Sequence, residues 1–217
     1  MDEQAYLDVN GKPACDELKT YKRIKKYDDR NNYVYEKNLG KDGKPLHGSN
    51  VNPEATVTYD EHGNITLIEC QDGYGKPYTS TEGFHRLERK YNEHNLLASE
   101  SYRDIKGNLV THRSNGYAKV NYTYDSKRNI TQEKYFASSG KMTNYATYTY
   151  NSRNSMTEFC MYNANGKLDD SQGFSKMVIT YGADGVIPVK RTFYEAGKPV
   201  AWQNYNAKTG EWGDYHF

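Results

Sequence analysis

One distance in this chain never varies, and it constrains the fold more than any composition does. Tyr27, Tyr59, Tyr91, Tyr124, Tyr150 and Tyr181 are each followed, 16 residues later, by Gly43, Gly75, Gly107, Gly140, Gly166 and Gly197. The return from each glycine to the next tyrosine drifts through 16, 16, 17, 10 and 15 residues. A rigid unit joined by an elastic connector is the signature of a structural repeat whose insertions fall in one set of loops. A seventh closing turn, Gly11-Lys12-Pro13, precedes the first full copy, so the chain opens in the second half of a repeat.

The copy at 116–141 shows what each unit builds. Residues 118–124 alternate apolar and polar side chains at the period of a half-buried strand. Residues 125–129 are a turn cluster, 130–136 a second strand-like run, and 138–141 close the unit. Helical periodicity is nearly absent under the repeated Gly, Asn and Pro punctuation. The expected fold is therefore all-β, about six tandem hairpins forming an extended antiparallel ribbon or a β-solenoid. The expected organisation is one repeat array over 1–217. It has a half-repeat at 1–19, repeats at 20–50, 51–82, 83–115, 116–144, 145–172 and 173–201, and a capping hairpin at 202–217. Such an array reads as a fragment of a longer protein.

Counting back two and four residues from the anchor tyrosines gives their same-face neighbours. These are Ala55 and Val57, Leu87 and Arg89, Val120 and Tyr122, Ala146 and Tyr148, and Met177 and Ile179. The tyrosine face is expected to be the buried one. The first unit breaks the pattern, with Arg23 and Lys25 there and Lys22 and Lys26 beside them. Basic residues interleaved with Tyr21 and Tyr27 could meet a phosphate backbone. The favoured reading is a solvated or edge strand whose lysines deter pairing, because the chain as a whole is balanced at net +1. No nucleic acid partner is expected.

Hydrophobic residues make up only 35% of the chain and mean hydropathy is −1.03. The 22 tyrosines offset this, since each can bury a ring while its hydroxyl stays near water. The longest apolar run covers only 159–162, so no membrane span is expected. The first residues lack the basic and apolar segments of a signal peptide. Cys15, Cys70 and Cys160 are odd in number and far apart, which excludes a dense disulfide framework.

Motifs with tandem tyrosine and aspartate resemble a known family. The runs Val-Thr-Tyr-Asp-Glu-His-Gly-Asn-Ile at 57–65 and Tyr-x-Tyr-Asp-x-x-x-Asn-Ile at 122–130 resemble the YD repeats of RHS proteins. The Gly-Lys-Pro turns at 11–13, 43–45, 75–77 and 197–199 look more like those of choline- and glucan-binding modules and clostridial toxin tails. The resemblance implies a β-ribbon or solenoid in a bacterial surface or secreted protein, with flanking domains in the same longer chain. It leaves three roles open: a structural and adhesion module, a carbohydrate-binding repeat, and part of a shell around a toxin domain.

Candidate chemistry is sparse. Asp28 and Asn32, Asp60 and Asn64, and Asp125 and Asn129 could help hold calcium. Turn formation is the simpler use of a carboxylate and an amide four residues apart, so no metal and no cofactor are expected. The six histidines are scattered, and no HExxH or Gly-x-Ser-x-Gly occurs, so no enzyme is expected. The best binding candidates are rings. Phe84, Tyr117 and Phe174 each follow a leading glycine, eight residues ahead of an anchor tyrosine, and parity puts them opposite the tyrosine face. Trp202 and Trp212 in the tail join them. Exposed, these rings could take a protein or glycan ligand on a cell surface; covered, they form a second core.

Overall fold

The computed structural model describes residues 2–48 and 51–217, so Met1 and the boundary expected between 20–50 and 51–82 lie outside the described residues. The described residues form fifteen strands and no helix. A short β1 (Asp2–Ala5) precedes six hairpins: β2 (Lys22–Tyr27) with β3 (Tyr33–Leu39), β4 (Glu54–Tyr59) with β5 (Ile65–Gln71), β6 (Arg86–Tyr91) with β7 (Leu97–Arg103), β8 (Lys119–Tyr124) with β9 (Ile130–Phe136), β10 (Met142–Tyr150) with β11 (Met156–Asn163), and β12 (Lys176–Tyr181) with β13 (Pro188–Glu195). A seventh, β14 (Lys198–Asn206) with β15 (Glu211–Trp212), ends the series. Strand order in the sheet follows strand order in the chain. The registered pairs are antiparallel, so of the two expected forms the antiparallel one holds. Contacts group the chain into two units, Met1–Lys119 with Ala137–Gly140, and Val120–Phe136 with Lys141–Phe217.

One turn closes the first five of these hairpins, while β12–β13 closes over one residue more, with the Gly182 N–H donating to Ile187 O. The Asp28 N–H donates to Asn32 O at 2.9 Å and the Asn31 N–H to Asp28 O at 3.0 Å, with Asn31 at φ 63°. This is a tight turn followed by a left-handed residue, and it costs one register step: the ladder shifts between Lys26 and Tyr27. The same shift recurs before Tyr59, Tyr91, Tyr150 and Tyr181. It explains why the tyrosine position is fixed relative to the turn.

Within the first unit, Val57 and Leu87 are buried on the tyrosine face, as the two-residue periodicity requires. Cys70, Phe84, Leu87 and Tyr102 form one buried cluster. Within the second unit, Ala146 and Cys160 are buried on neighbouring strands. Val120 is fully buried.

The lysine-rich β2 is not an edge strand. It pairs with β1 on one side and β3 on the other. Its charges are matched locally: Arg23 Nη2 lies 3.1 Å from Asp16 Oδ2, Lys22 Nζ 2.6 Å from Glu3 Oε2, and Lys25 Nζ 3.8 Å from Glu36 Oε2. Lys26 Nζ sits 4.6 Å from the centre of the Tyr35 ring. These cations are occupied by the chain's own acids and rings.

Candidate functional site

The anchor tyrosines fasten each hairpin to the one before it. Tyr59 Oη donates to Tyr33 O at 2.7 Å and Tyr91 Oη to Ile65 O at 2.9 Å. In the second unit Tyr150 Oη donates to Ile130 O at 2.8 Å and Tyr181 Oη to Met156 O at 2.6 Å. In each case the acceptor is the first residue of the preceding hairpin's second strand. Burial pushes the pKa of these four phenols up, which keeps them protonated as donors.

The aspartate after the tyrosine works inside the turn. Asp60 Oδ1 accepts from the His62 and Asn64 backbone N–H groups at 2.9 Å each, and Oδ2 accepts from Asn64 Nδ2 at 3.0 Å. Asp28 and Asp125 repeat all three bonds after their tyrosines, and Asp104 repeats them in a closing turn. The asparagine side-chain bond, aided by the backbone donors, holds these exposed carboxyls below the usual carboxylate range. The acceptor capacity that could have served a cation is directed at turn N–H groups. Among the described residues no group of three or more His, Cys, Asp or Glu is placed to hold a metal.

The same pentapeptide recurs at the closing turns, which the sequence reading treated separately. Asp72 Oδ1 accepts from Tyr74 N–H and Lys76 N–H, and Gly75 takes φ 81°. Gly43, Gly107, Gly140, Gly166 and Gly197 are likewise left-handed. At Asp72, Asp104 and Asn163 the closing turn follows the same rule, an Asp or Asn that begins the turn and a left-handed glycine three positions on; Gly40 and Ala137 begin the turns that Gly43 and Gly140 close, and Gly197 closes a two-residue turn with left-handed Ala196. Lys76 serves through its backbone carbonyl, which accepts from Asp72 N–H at 2.9 Å.

The leading rings do not lie where parity placed them. Phe84 belongs to the cluster of Leu87, on the tyrosine face rather than opposite it. Parity fails because Gly83, at φ 90°, ends a turn just before the strand, and alternation starts only at Arg86. Phe84 stands 5.2 Å from Tyr102 and 5.5 Å from His112, which itself is 4.5 Å from Tyr102. Tyr117, half-buried, adds a fourth ring 6.0 Å from Tyr102. His112 and Tyr102 were not singled out from sequence. Tyr102 stands opposite Leu87 in the register, the signal that could have found it.

Phe174 is half-buried and open on one side. It stands 6.4 Å from Phe159 and 5.0 Å from Phe193, and Phe193 stands 5.6 Å from Tyr215. Phe174, Phe193, Val200, Ala201, Tyr215 and Phe217 line an apolar groove of about 510 Å³. Trp202 and Trp212 lie elsewhere and are half-buried. Trp202 stacks on His216 at 5.4 Å with Lys190 Nζ 4.8 Å from its centre. Trp212 meets Tyr205 at 5.2 Å and the Arg191 guanidinium at 4.5 Å. The structure therefore brings Phe174 to a groove, places Phe84 in core, and keeps the tryptophans with in-chain partners.

The buried thiols are poor nucleophiles: burial, with Glu69 nearby, pushes Cys70 up to about 12, and burial raises Cys160. Buried Glu100 and half-buried Glu133 have ready partners in the sheet. Glu100 accepts from Arg89 Nε at 2.8 Å and from Tyr102 Oη at 2.5 Å, and Glu133 accepts from Tyr148 Oη at 2.8 Å.

Comparison with known proteins finds no matching family model and no matching curated protein. Among solved structures, this chain is similar to a crystal structure of TcdB2-TccC3-TEV, at 12% identity and a TM-score of 0.44, covering 94% of this chain and 12% of that one. It is similar also to a Photorhabdus luminescens Tc holotoxin pore, at 14% identity and a TM-score of 0.45, again covering 94% of this chain and 12% of that one. The chain thus spans about an eighth of the structures it matches.

Proposed function

We propose that this chain is a non-catalytic structural repeat module of YD-repeat type, serving as scaffold and adhesion segment in a bacterial surface or secreted protein. The observation that carries the reading is the tyrosine fastening. The side chain that recurs most strictly in the sequence makes the bond that joins successive hairpins, at four joins in the two units. The turn carboxylates, the basic strand and Phe84 are likewise occupied by the chain itself. An array built this way transmits force and keeps spacing along its length. Flanking domains of a longer chain would be what it spaces or, as part of a shell, what it encloses.

Phe174 favours one competing reading, a carbohydrate-binding repeat, because an open apolar groove with aromatic walls can stack on sugars. The two are separated by a glycan array on the purified chain beside its Phe174→Ala and Trp212→Ala variants. The scaffold reading expects no selective glycan signal. Selective binding by the parent that folded Phe174→Ala loses would overturn it in favour of the carbohydrate reading.

A further inference from the structure

Three hairpins carry a glutamate at the same place in the second strand, and two of them also carry its cation. Glu36, Glu100 and Glu133 hold this place, each nine residues after Tyr27, Tyr91 and Tyr124. Two residues before those tyrosines stand Lys25, Arg89 and Tyr122. In the third hairpin the two oxygens of the carboxylate are shared out. Arg89 Nε donates to Glu100 Oε2 at 2.8 Å, and Tyr102 Oη donates to Oε1 at 2.5 Å. In the first hairpin Lys25 Nζ stops 3.8 Å from Glu36 Oε2, outside hydrogen-bond reach.

Glu133 in the second unit keeps the phenol and lacks the guanidinium. Tyr135 takes the place of Tyr102 and donates through Oη to Glu133, and Tyr148 Oη of β10 donates to it at 2.8 Å. Both bonds go to Oε2. Among the described residues Glu133 forms no ion pair, and its Oε1 takes no hydrogen bond. Unlike the unpartnered Oε2 of Glu54, that oxygen is not buried. Lys134, adjacent in β9, belongs to the opposite face by strand alternation. Burial, then the bond to Glu133, and at smaller strength nearby Tyr122 push the Tyr135 and Tyr148 phenols up, so both stay donors.

We infer that Glu133 Oε1 is a binding site for a guanidinium group brought by another molecule. The third hairpin shows the fit, with the same carboxylate, the same phenol and an arginine Nε on the remaining oxygen. A guanidinium offers its N–H groups in a planar fork that matches a carboxylate edge, and it lies well against aromatic rings. Glu133, Tyr122, Tyr135 and Tyr148 are all half-buried, so a charge-assisted bond there is screened less than at the open surface. An arginine side chain of a partner protein and a small guanidinium compound share this chemistry.

The test is an NMR titration of the folded, isotope-labelled chain with N-acetylarginine amide at constant ionic strength, following the Glu133 carboxyl carbon. The uncharged citrulline counterpart and N-acetyllysine amide are titrated beside it. The expected result is a saturable shift with a Kd of about 10 mM, absent with citrulline and weaker by about tenfold with lysine. Glu133→Gln should weaken binding about tenfold or more. Tyr122→Arg rebuilds the pair of the third hairpin, so the new side chain should fill the oxygen from within and weaken binding as much. Circular dichroism checks that both variants fold, and Glu133→Gln decides alone if Tyr122→Arg does not. No saturation by about 100 mM, an equal shift with citrulline or lysine, or binding untouched by Glu133→Gln overturns the inference. An extended peptide carrying one arginine separates the two sources. Binding about tenfold tighter than the amide assigns the guanidinium to a partner's side chain, and equal binding assigns it to a small compound.

Discussion

The first and third hairpins have one skeleton and opposite fillings. Arg23 stands opposite Asn38 where Leu87 stands opposite Tyr102, and Lys25 stands opposite Glu36 where Arg89 stands opposite Glu100. Thr20, after left-handed Lys19, holds the position that Phe84 holds after Gly83. The third hairpin buries rings and a leucine. The first holds a half-buried guanidinium whose Nε donates to Asn38 Oδ1 at 2.9 Å, and a buried threonine whose hydroxyl has no partner among the described residues. Turn geometry and register are the same in both. What specifies the hairpin is therefore the turn, and the interior tolerates either apolar packing or a matched polar set.

Substitutions in paired positions can break that equivalence. Leu87→Ala should cost about 3 kcal/mol, because a closed cluster of rings cannot collapse onto the cavity. Arg23→Ala should cost about 2 kcal/mol by leaving Asp16 and Asn38 without their donor. Urea unfolding midpoints measure both, and a larger loss at Arg23 would mean the polar filling is the stronger one. Thr20→Val keeps the volume and removes the unpartnered hydroxyl, so it should stabilise by about 1 kcal/mol. A destabilised variant would show that the hydroxyl has a partner in solution.

The fastening bonds allow a finer contrast. Tyr91→Phe should lose about 1 kcal/mol, and hydrogen exchange should rise at the join between β5 and β6. Tyr27 belongs to the first full hairpin and is 39% exposed, so Tyr27→Phe should change stability by less than about 0.5 kcal/mol. Equal losses would remove the case for the tyrosine as a fastener. The smallest effect expected is at low pH. The turn carboxyls titrate lower folded than unfolded, so their contribution is complete above the unfolded carboxyl range and fades as pH falls through the lowered folded value. Melting curves taken on descending from about pH 5 should drift down, and Asp60→Asn should reduce the drift.

The reach of the sequence follows the same division. The invariant tyrosine-to-glycine spacing located the six hairpins that carry an anchor tyrosine, because the turn after the tyrosine is local and leaves a nearly fixed count of residues. It also marked the turn carboxylates, since Asp and Asn four apart is the bonding pattern itself. It could not place Phe84, because strand parity does not run through a left-handed glycine. It could not make β2 interior, because β1 is a four-residue strand with no alternation to announce it. Nor did it unify the turns, since the left-handed position accepts Gly63, Asn31, Asn95, Asn154 and even Arg128. A backbone that makes the bonds constrains identity weakly.

Strand order that copies chain order bears on how the molecule comes into being. Each strand completes its ladder with a neighbour made moments before or after it; the widest register pair described joins Asp2 to Lys25. Loop closure is therefore short at every step, and hairpins of this kind close in microseconds. A chain emerging slowly from a ribosome can zip from its first hairpin without waiting for its last. Each newly finished edge then templates the next strand, so that assembly keeps pace with delivery.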